Sequence, residues 1–255
     1  FLRQERDNPC LLVVSFNNPH NICEWARGAR GSQLPDGDPG EPPAMEHCPP
    51  LRANHLPARD ETDTIALLRR SYQASRTFPV GDFGEKEWRE YVWAYYRMIE
   101  VVDLHIGEVL QVLQETGQDK NTVIVLTSDH GDCQGAHDWN QKTVFFDESI
   151  KVPFIIAYPG MNPGSISEQL VHTGVDLMPT LCETAGIPAP EGLSGHSLLP
   201  IVLGNETVLH RNFITAQTQF LQGAKIDGQS TTTFGRMVRS KQYKYCVYNE
   251  GIRRE

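Results

Sequence analysis

The chain has 255 residues, 39% of them hydrophobic, and 23 Lys and Arg stand against 32 Asp and Glu for a formal net charge of −9. That length and apolar content suffice for one large domain, or for a domain with a small appendage. The acidic balance argues against nucleic acid and anionic membrane surfaces as partners, since both attract basic patches, but it leaves room for a small anion held by a few local cations.

Leu11-Leu12-Val13-Val14-Ser15-Phe16 is a continuous apolar run bounded by Pro9 and by Asn17-Asn18-Pro19. It predicts a buried strand with a loop at its carboxyl end, and it is far too short to cross a membrane. From Gly28 to about Asp63 the chain is rich in Pro and Gly and has little periodicity, which predicts a long loop bordering a pocket. Lys86 to Thr116 predicts a helix: Trp88, Tyr91, Tyr95, Met98, Val102, Ile106, Val109 and Leu113 recur at three- and four-residue steps, and Gly117 stands at the stop. Residues 122–126 and 152–158 predict two further buried strands. Asp176 is expected to cap a helix running to Ala185, with Pro179 in its first turn. Helices alternating with apolar strands predict an α/β fold with a covered sheet. After about residue 205 the texture becomes short and half-polar, with Ser240-Lys241-Gln242 as a hairpin turn. This divides the chain into residues 1–205 and a small antiparallel subdomain, residues 206–255.

The six cysteines are scattered and form no Cys-x-x-Cys pair, so neither a zinc knuckle nor a disulfide framework is implied. Asn205-Glu206-Thr207 is a glycosylation sequon, meaningful only in a secreted eukaryotic chain. The chain opens without an initiator Met or a signal peptide and ends without a turn, so both ends read as cut from something longer.

The densest polar cluster is TSDHGDCQGAHDWNQK, residues 127–142. Asp129 and His130 stand past the carboxyl end of a predicted strand, where ligands bind in open α/β sheets. A carboxylate beside an imidazole can hold a divalent cation, although a polar turn is an equal reading on position alone. Lys142 can supply positive charge to a tetrahedral anion. Otherwise it is a solvated surface lysine, and His137 a hydrogen-bonded loop residue. If the strands are parallel, His20 in SFNNPHN faces the same edge.

VVSFNNPH, MIEVVDLHIGEVLQVLQETG, NTVIVLTSDHGDCQGAHDWNQKTVFFDESIKVPFIIAYPG, VDLMPTLCETAGI and GLSGHSLLP resemble successive segments of the sulfatase family, in order and spacing, over most of residues 10–202. The resemblance implies an alkaline-phosphatase-like α/β sheet flanked by helices. It also implies hydrolysis of sulfate esters by a hydrated-aldehyde nucleophile with the help of a calcium ion, magnesium being the alternative. Carried over position by position, Asp129 and His130 match metal ligands. Lys142 matches a lysine on the sulfate, His20 a histidine on the sulfate or leaving oxygen, and His137 a histidine near the substrate. Asp103, Glu148, Ser149 and Asp176 match motif positions and read as structural, while Cys133 reads as a packed, idle thiol.

The implied partner is a sulfated small molecule or carbohydrate, without nucleic acid or membrane insertion. A full-length parent is expected to be periplasmic or secreted rather than cytoplasmic. The rival readings are a phosphodiesterase or phosphonate monoester hydrolase of the same superfamily, or a non-catalytic sulfatase-like protein. No Asp-Asp pair occurs, and the family's nucleophile segment would precede the NPH turn. The chain by itself is therefore expected to be an inactive fragment lacking that segment. Cys48-x-Pro50-x-Arg52 spells most of the nucleophile pattern. It lies after the NPH turn, however, with Leu51 in place of the usual Ser and with Pro57 interrupting the helix that should follow. It reads as a pocket-edge loop.

Overall fold

The computed structural model describes residues 1–161, 164–205, 211–220 and 223–249. A short helix, α1 (Ile22–Ala26), buries Ile22, Cys23 and Trp25. Helix α2 (Asp63–Gln73) starts at Thr62, whose hydroxyl accepts the Ile65 N–H at 3.3 Å and so satisfies one unpaired first-turn donor. Helix α3 (Glu85–Glu115) begins at Gly84, whose N–H donates to the Glu87 carboxylate at 3.0 Å. It ends at Thr116, followed by Gly117 at φ +70°, where a side chain would be strained.

Two clusters form the interior, and α1 lies between them. Ile22 and Trp25 pack with Leu34, Val80 and the α3 residues Trp88, Tyr91, Tyr95 and Met98. Cys23 packs with Leu68 and Tyr72 of α2 and with Cys133, Trp139, Val144 and Phe220. Tyr72 stacks on Phe78 with ring centroids 4.2 Å apart. Most of the sealed residues of α3 lie in its amino-terminal half: beyond it Val102, Ile106 and Val109 are half-buried and Leu104 is 69% exposed, with Leu113 buried near the end.

The strands differ from expectation in pairing. Residues 11–16 form no ladder among the described residues, and Leu11 and Val13 are 73% and 77% exposed. An apolar run has the composition of a buried strand, but composition does not supply the neighbour that would bury it. Strands β1 (Ile124–Thr127) and β2 (Phe154–Ala157) pair antiparallel, Ile124 opposite Ala157 and Thr127 opposite Phe154. Ile155 of β2 is exposed, so this two-stranded ladder is not the covered sheet that the alternation of elements predicts. The chain leaves the end of β1 at residue 127 and returns at the start of β2, so residues 128–153 form one excursion beyond that end.

The expected antiparallel strands are present as β3 (Ile214–Phe220), β4 (Thr233–Arg239) and β5 (Lys244–Tyr248), in sheet order β3-β4-β5. The hairpin turn closes by the Ser240 N–H on the Tyr243 carbonyl at 2.8 Å. Asp147, at the start of helix α4 (Asp147–Ile150), accepts from Arg239 at 2.6 Å and Lys244 at 2.7 Å and pairs with Lys151 at 2.9 Å. Burial works to raise the Asp147 carboxyl, but these three cations outweigh it and hold it below the usual range.

Helix α5 (Thr173–Thr184) starts earlier than expected. His172 caps it by accepting the Gly174 N–H at 3.2 Å, and Asp176 lies inside the first turn. Pro179 is therefore within the helix, and it has no N–H to offer the Val175 carbonyl. Gly195 lies against that same oxygen, only 1.9 Å from where its Cβ would stand. Helix α6 (Leu199–Val202) completes the order. Among the described residues, no helix is long and apolar enough to cross a membrane.

Candidate active site

The excursion after β1 brings the polar cluster together. Its backbone is unusual: Gln134, His137, Asp138, Gln141 and Thr143 have φ between +49° and +78°. Non-glycine residues enter this region at a cost of about 1–3 kcal/mol each, so surrounding contacts must hold them there. Those contacts are on hand. The Gln134 N–H donates to the Asp132 carboxylate at 2.8 Å, Cys133 N–H to the Gln141 carbonyl at 2.8 Å, and Gly135 N–H to the Trp139 carbonyl at 2.8 Å. The segment Arg52 to His55 braces the outside. His137 and Asp138 donate their N–H groups to the Asn54 and His55 carbonyls at 2.8 and 2.5 Å, and Arg52 donates to the Gln134 side chain at 2.5 Å.

Lys142 and His20, 122 residues apart in sequence, meet with Nζ 3.3 Å from Nδ1. An ammonium can only donate, so Nδ1 accepts and the hydrogen of the neutral ring is on Nε2. Burial first, then the Lys142 charge, lowers the His20 pKa, which keeps the ring neutral at physiological pH. Asp129 and His130 also contribute to the electrostatic environment of His20, so these four predicted residues share one neighbourhood.

His130 Nδ1 lies 2.8 Å from the Gly131 carbonyl oxygen, which can only accept, so Nδ1 carries a hydrogen. Its Nε2 then faces Asp129 Oδ2 at 3.3 Å. Two Lewis bases that close need a proton or a cation between them, and this is the observation that fits a metal. Hard cations such as calcium, however, take six to eight oxygen ligands. Among the described residues, no group of three or more His, Cys, Asp or Glu converges to hold an ion. Asp129 and His130 therefore do not fit as a complete site.

His137 stands apart from that foursome. Its ring stacks on Phe146 at 3.9 Å, and its Nε2 is 3.3 Å from the Asn54 amide and 3.9 Å from Glu148 Oε2. Glu148, expected to be structural, is a hydrogen-bond partner of the Asn54 amide beside that ring. Asp132, unremarked in sequence beyond its place in the cluster, is buried, and burial pushes its carboxyl up to about 6. It lines an open recess of about 290 Å³ with Arg52, Gln134, Asp147, Glu148 and Lys151. The charges of Lys142 and His130 act in the opposite direction, lowering the Asp132 carboxyl, but burial outweighs them.

Ser149 is buried, and its backbone carbonyl accepts the Gly131 N–H at 2.8 Å; Asp176 is buried and pairs with Arg211 outside the recess. The Cys133 thiol is fully buried and pushed up by that burial, which makes it inert. Cys48 is buried as well, its sulfur on the Pro43 carbonyl at 3.9 Å and its own carbonyl held by Arg89 on α3. The Cys-x-Pro-x-Arg loop thus reaches the site through Arg52, Asn54 and His55 and not through its cysteine.

Comparison with known proteins gives this arrangement a family. A model described as N-sulphoglucosamine sulphohydrolase, C-terminal, matches residues 135–254. A Delta 4,5-hexuronate-2-O-sulfatase of Bacteroides thetaiotaomicron is 29% identical over 255 residues, covering 98% of this chain and 50% of that protein. A solved 2-O GAG sulfatase superposes with a TM-score of 0.73 at 29% identity, over 92% of this chain and 49% of that one. A phosphonate monoester hydrolase of Silicibacter pomeroyi superposes with a TM-score of 0.68 at 26% identity, over 80% of this chain and 43% of that one. The chain spans about half the length of these relatives. The likeness is alkaline-phosphatase-like in fold, and the small antiparallel sheets are part of it. With the sulfatase model itself matching residues 1–187, most of the chain, this protein belongs to the sulfatase family.

Proposed function

We propose that the chain carries part of the catalytic centre of a sulfuric ester hydrolase acting on a sulfated carbohydrate. The observation that supports this best is the meeting of Lys142 with His20 at 3.3 Å. A fixed ammonium beside a neutral imidazole with its Nε2–H free to donate suits a sulfate group, whose charge lies on its peripheral oxygens. As the ester S–O bond breaks, charge builds on those oxygens and on the leaving oxygen. In this reading Lys142 opposes the first and His20 hydrogen-bonds the group or its leaving oxygen, while His137 acts from the neighbouring cluster with Asn54 and Glu148. The carbohydrate reading draws on the hexuronate-2-O-sulfatase relative and on the recess lined by Arg52, Asp132, Gln134 and Glu148.

Titration with inorganic sulfate tests this directly. Sulfate is expected to shift the His20 imidazole resonances and to raise the His20 pKa, because a bound dianion favours the imidazolium. Lys142→Ala should weaken sulfate binding by tenfold or more. It should also raise the His20 pKa in the free protein, since the Lys142 charge is one of the causes that lower it. If saturating sulfate leaves His20 unmoved, the reading fails. A parallel phosphate titration separates the phosphonate hydrolase reading, which predicts the tighter response to phosphate.

Sulfatases use a divalent metal ion. Calcium is the proposed ion, with magnesium the alternative, and Asp129 and His130 are its proposed ligands in this chain. Two donors are too few for tight binding. Calorimetric titration with calcium should therefore show weak uptake, and tight one-to-one binding would overturn the two-donor reading. No step is assigned to the ion.

A further inference from the structure

We propose that Asn54, oriented by Glu148, is a positioning residue that fixes His137 as the Nδ1–H tautomer, so that His137 meets substrate as a hydrogen-bond donor from Nδ1. The argument begins at Glu148. Asn54 Nδ2 lies 2.7 Å from Glu148 Oε1. A carboxylate offers only acceptors, so the Asn54 side chain must present its NH₂ and not its carbonyl to it. The same nitrogen is 3.3 Å from His137 Nε2. One amide hydrogen goes to Glu148 and the other to the ring, and a ring nitrogen that accepts carries no hydrogen. The hydrogen of the neutral imidazole is therefore on Nδ1.

The neighbouring geometry leaves the ring little freedom to escape this. His137 is stacked on Phe146 at 3.9 Å with 16° between the planes, and its backbone N–H is held by the Asn54 carbonyl at 2.8 Å. Asn54 thus grips both the backbone and the ring of a residue whose φ is +58°. Burial lowers the His137 pKa, which favours the neutral ring that the contact requires. The nearby charges divide, Glu148 and Glu61 raising it and Lys244 lowering it. The two histidines of the site then present opposite tautomers: His20 donates from Nε2 and His137 from Nδ1.

The proposal rests on the sulfatase reading only in naming the substrate as the group that Nδ1–H meets. Nitrogen-15 spectra of the histidine rings, with His137 identified by the signals lost in His137→Gln, test it without turnover. In the unaltered protein, Nε2 of His137 should resonate as the bare nitrogen and Nδ1 as the protonated one. Asn54→Ala removes the donor and should shift the population toward Nε2–H, the form that a free imidazole ring prefers. Asn54→Asp places an acceptor opposite Nε2 and should make Nε2–H dominant while raising the His137 pKa. A His137 that is Nε2–H in the unaltered protein overturns the proposal before any variant is made. An unchanged tautomer in a folded Asn54→Ala protein overturns it as well. The sulfate titration reads His20 and Lys142, so either result can fail while the other stands.

Discussion

Asp176→Ala is expected to destabilise the protein by about 3–5 kcal/mol, read as a lowered urea midpoint, because it leaves a largely buried guanidinium unpaired. Asp176 has no exposed side-chain surface, and Arg211 has 11%. Arg211 reaches both carboxylate oxygens, at 2.6 and 2.7 Å. The His172 and His196 N–H groups donate to the same two oxygens at 2.7 and 2.9 Å. One side chain thus joins the start of α5, the loop before α6 and the segment leading into β3. Asp176→Asn should cost nearly as much, since an amide turns N–H toward N–H on one side. Burial works to raise the Asp176 carboxyl, but the Arg211 bonds and the two backbone donors outweigh it and hold it below the usual range. Its contribution is therefore present above the unfolded carboxylate pKa of about 3.9 and lost as pH falls through the lower folded value. The two variants should lack that segment of the acid unfolding curve.

How far the sequence disclosed this fold depended on whether a feature is local. Helix α3 was legible because its period and its glycine stop are written within one segment. The hairpin of β4 and β5 was legible from its turn residues. Helix α2 has the same kind of signal, with Thr62 as a cap and Ile65, Leu68 and Tyr72 at helical steps, but it lies next to the Pro/Gly loop, whose texture masks it. Residues 11–16 show the opposite failure. Their composition is that of a buried strand, while pairing is set by a neighbour that composition does not name. The start of α5 was misplaced because Asp176 has the residue type of a cap, whereas His172, an uncommon capping residue, does the capping.

The site followed the same rule. Asp129, His130 and Lys142 are close in sequence and stand near one another in the fold, and the NPH turn pointed to His20. His137 proved to be separate, tied to Asn54, which is 83 residues away. The left-handed backbone from Gln134 to Thr143 had no marker either, because those positions are not glycine. A hydrogen bond between loops has no period and no local composition, so Asn54 and Glu148 became visible only once the two loops were placed together.

Gly131→Ala is the substitution expected to damage this site most. An added Cβ would stand 2.0 Å from the Glu148 carbonyl oxygen and 3.1 Å from that of Lys151, well short of the 3.4 Å at which ordinary contact begins. Both obstacles are backbone, so no side-chain rotation relieves them. The turn after β1 must instead part from α4, breaking the Gly131 N–H bond to the Ser149 carbonyl at 2.8 Å. Overpacking of this kind typically costs about 1–3 kcal/mol, and the lost hydrogen bond adds to it. The movement also carries His130 and Asp132 away from Glu148, and Glu148 is what orients Asn54 against His137. Destabilisation should therefore come with a disturbed His137 tautomer and a weaker response of His20 to sulfate. Gly107→Ala is the control. It lies on the exposed half of α3 with nothing within 4 Å of the added methyl, so alanine there should stabilise the protein by about 0.5–1 kcal/mol. The same chemical change is thus predicted to have opposite signs at the two glycines. A Gly131→Ala protein as stable as the parent, with His20 and His137 unaltered, would show that the turn and α4 do not need their close approach.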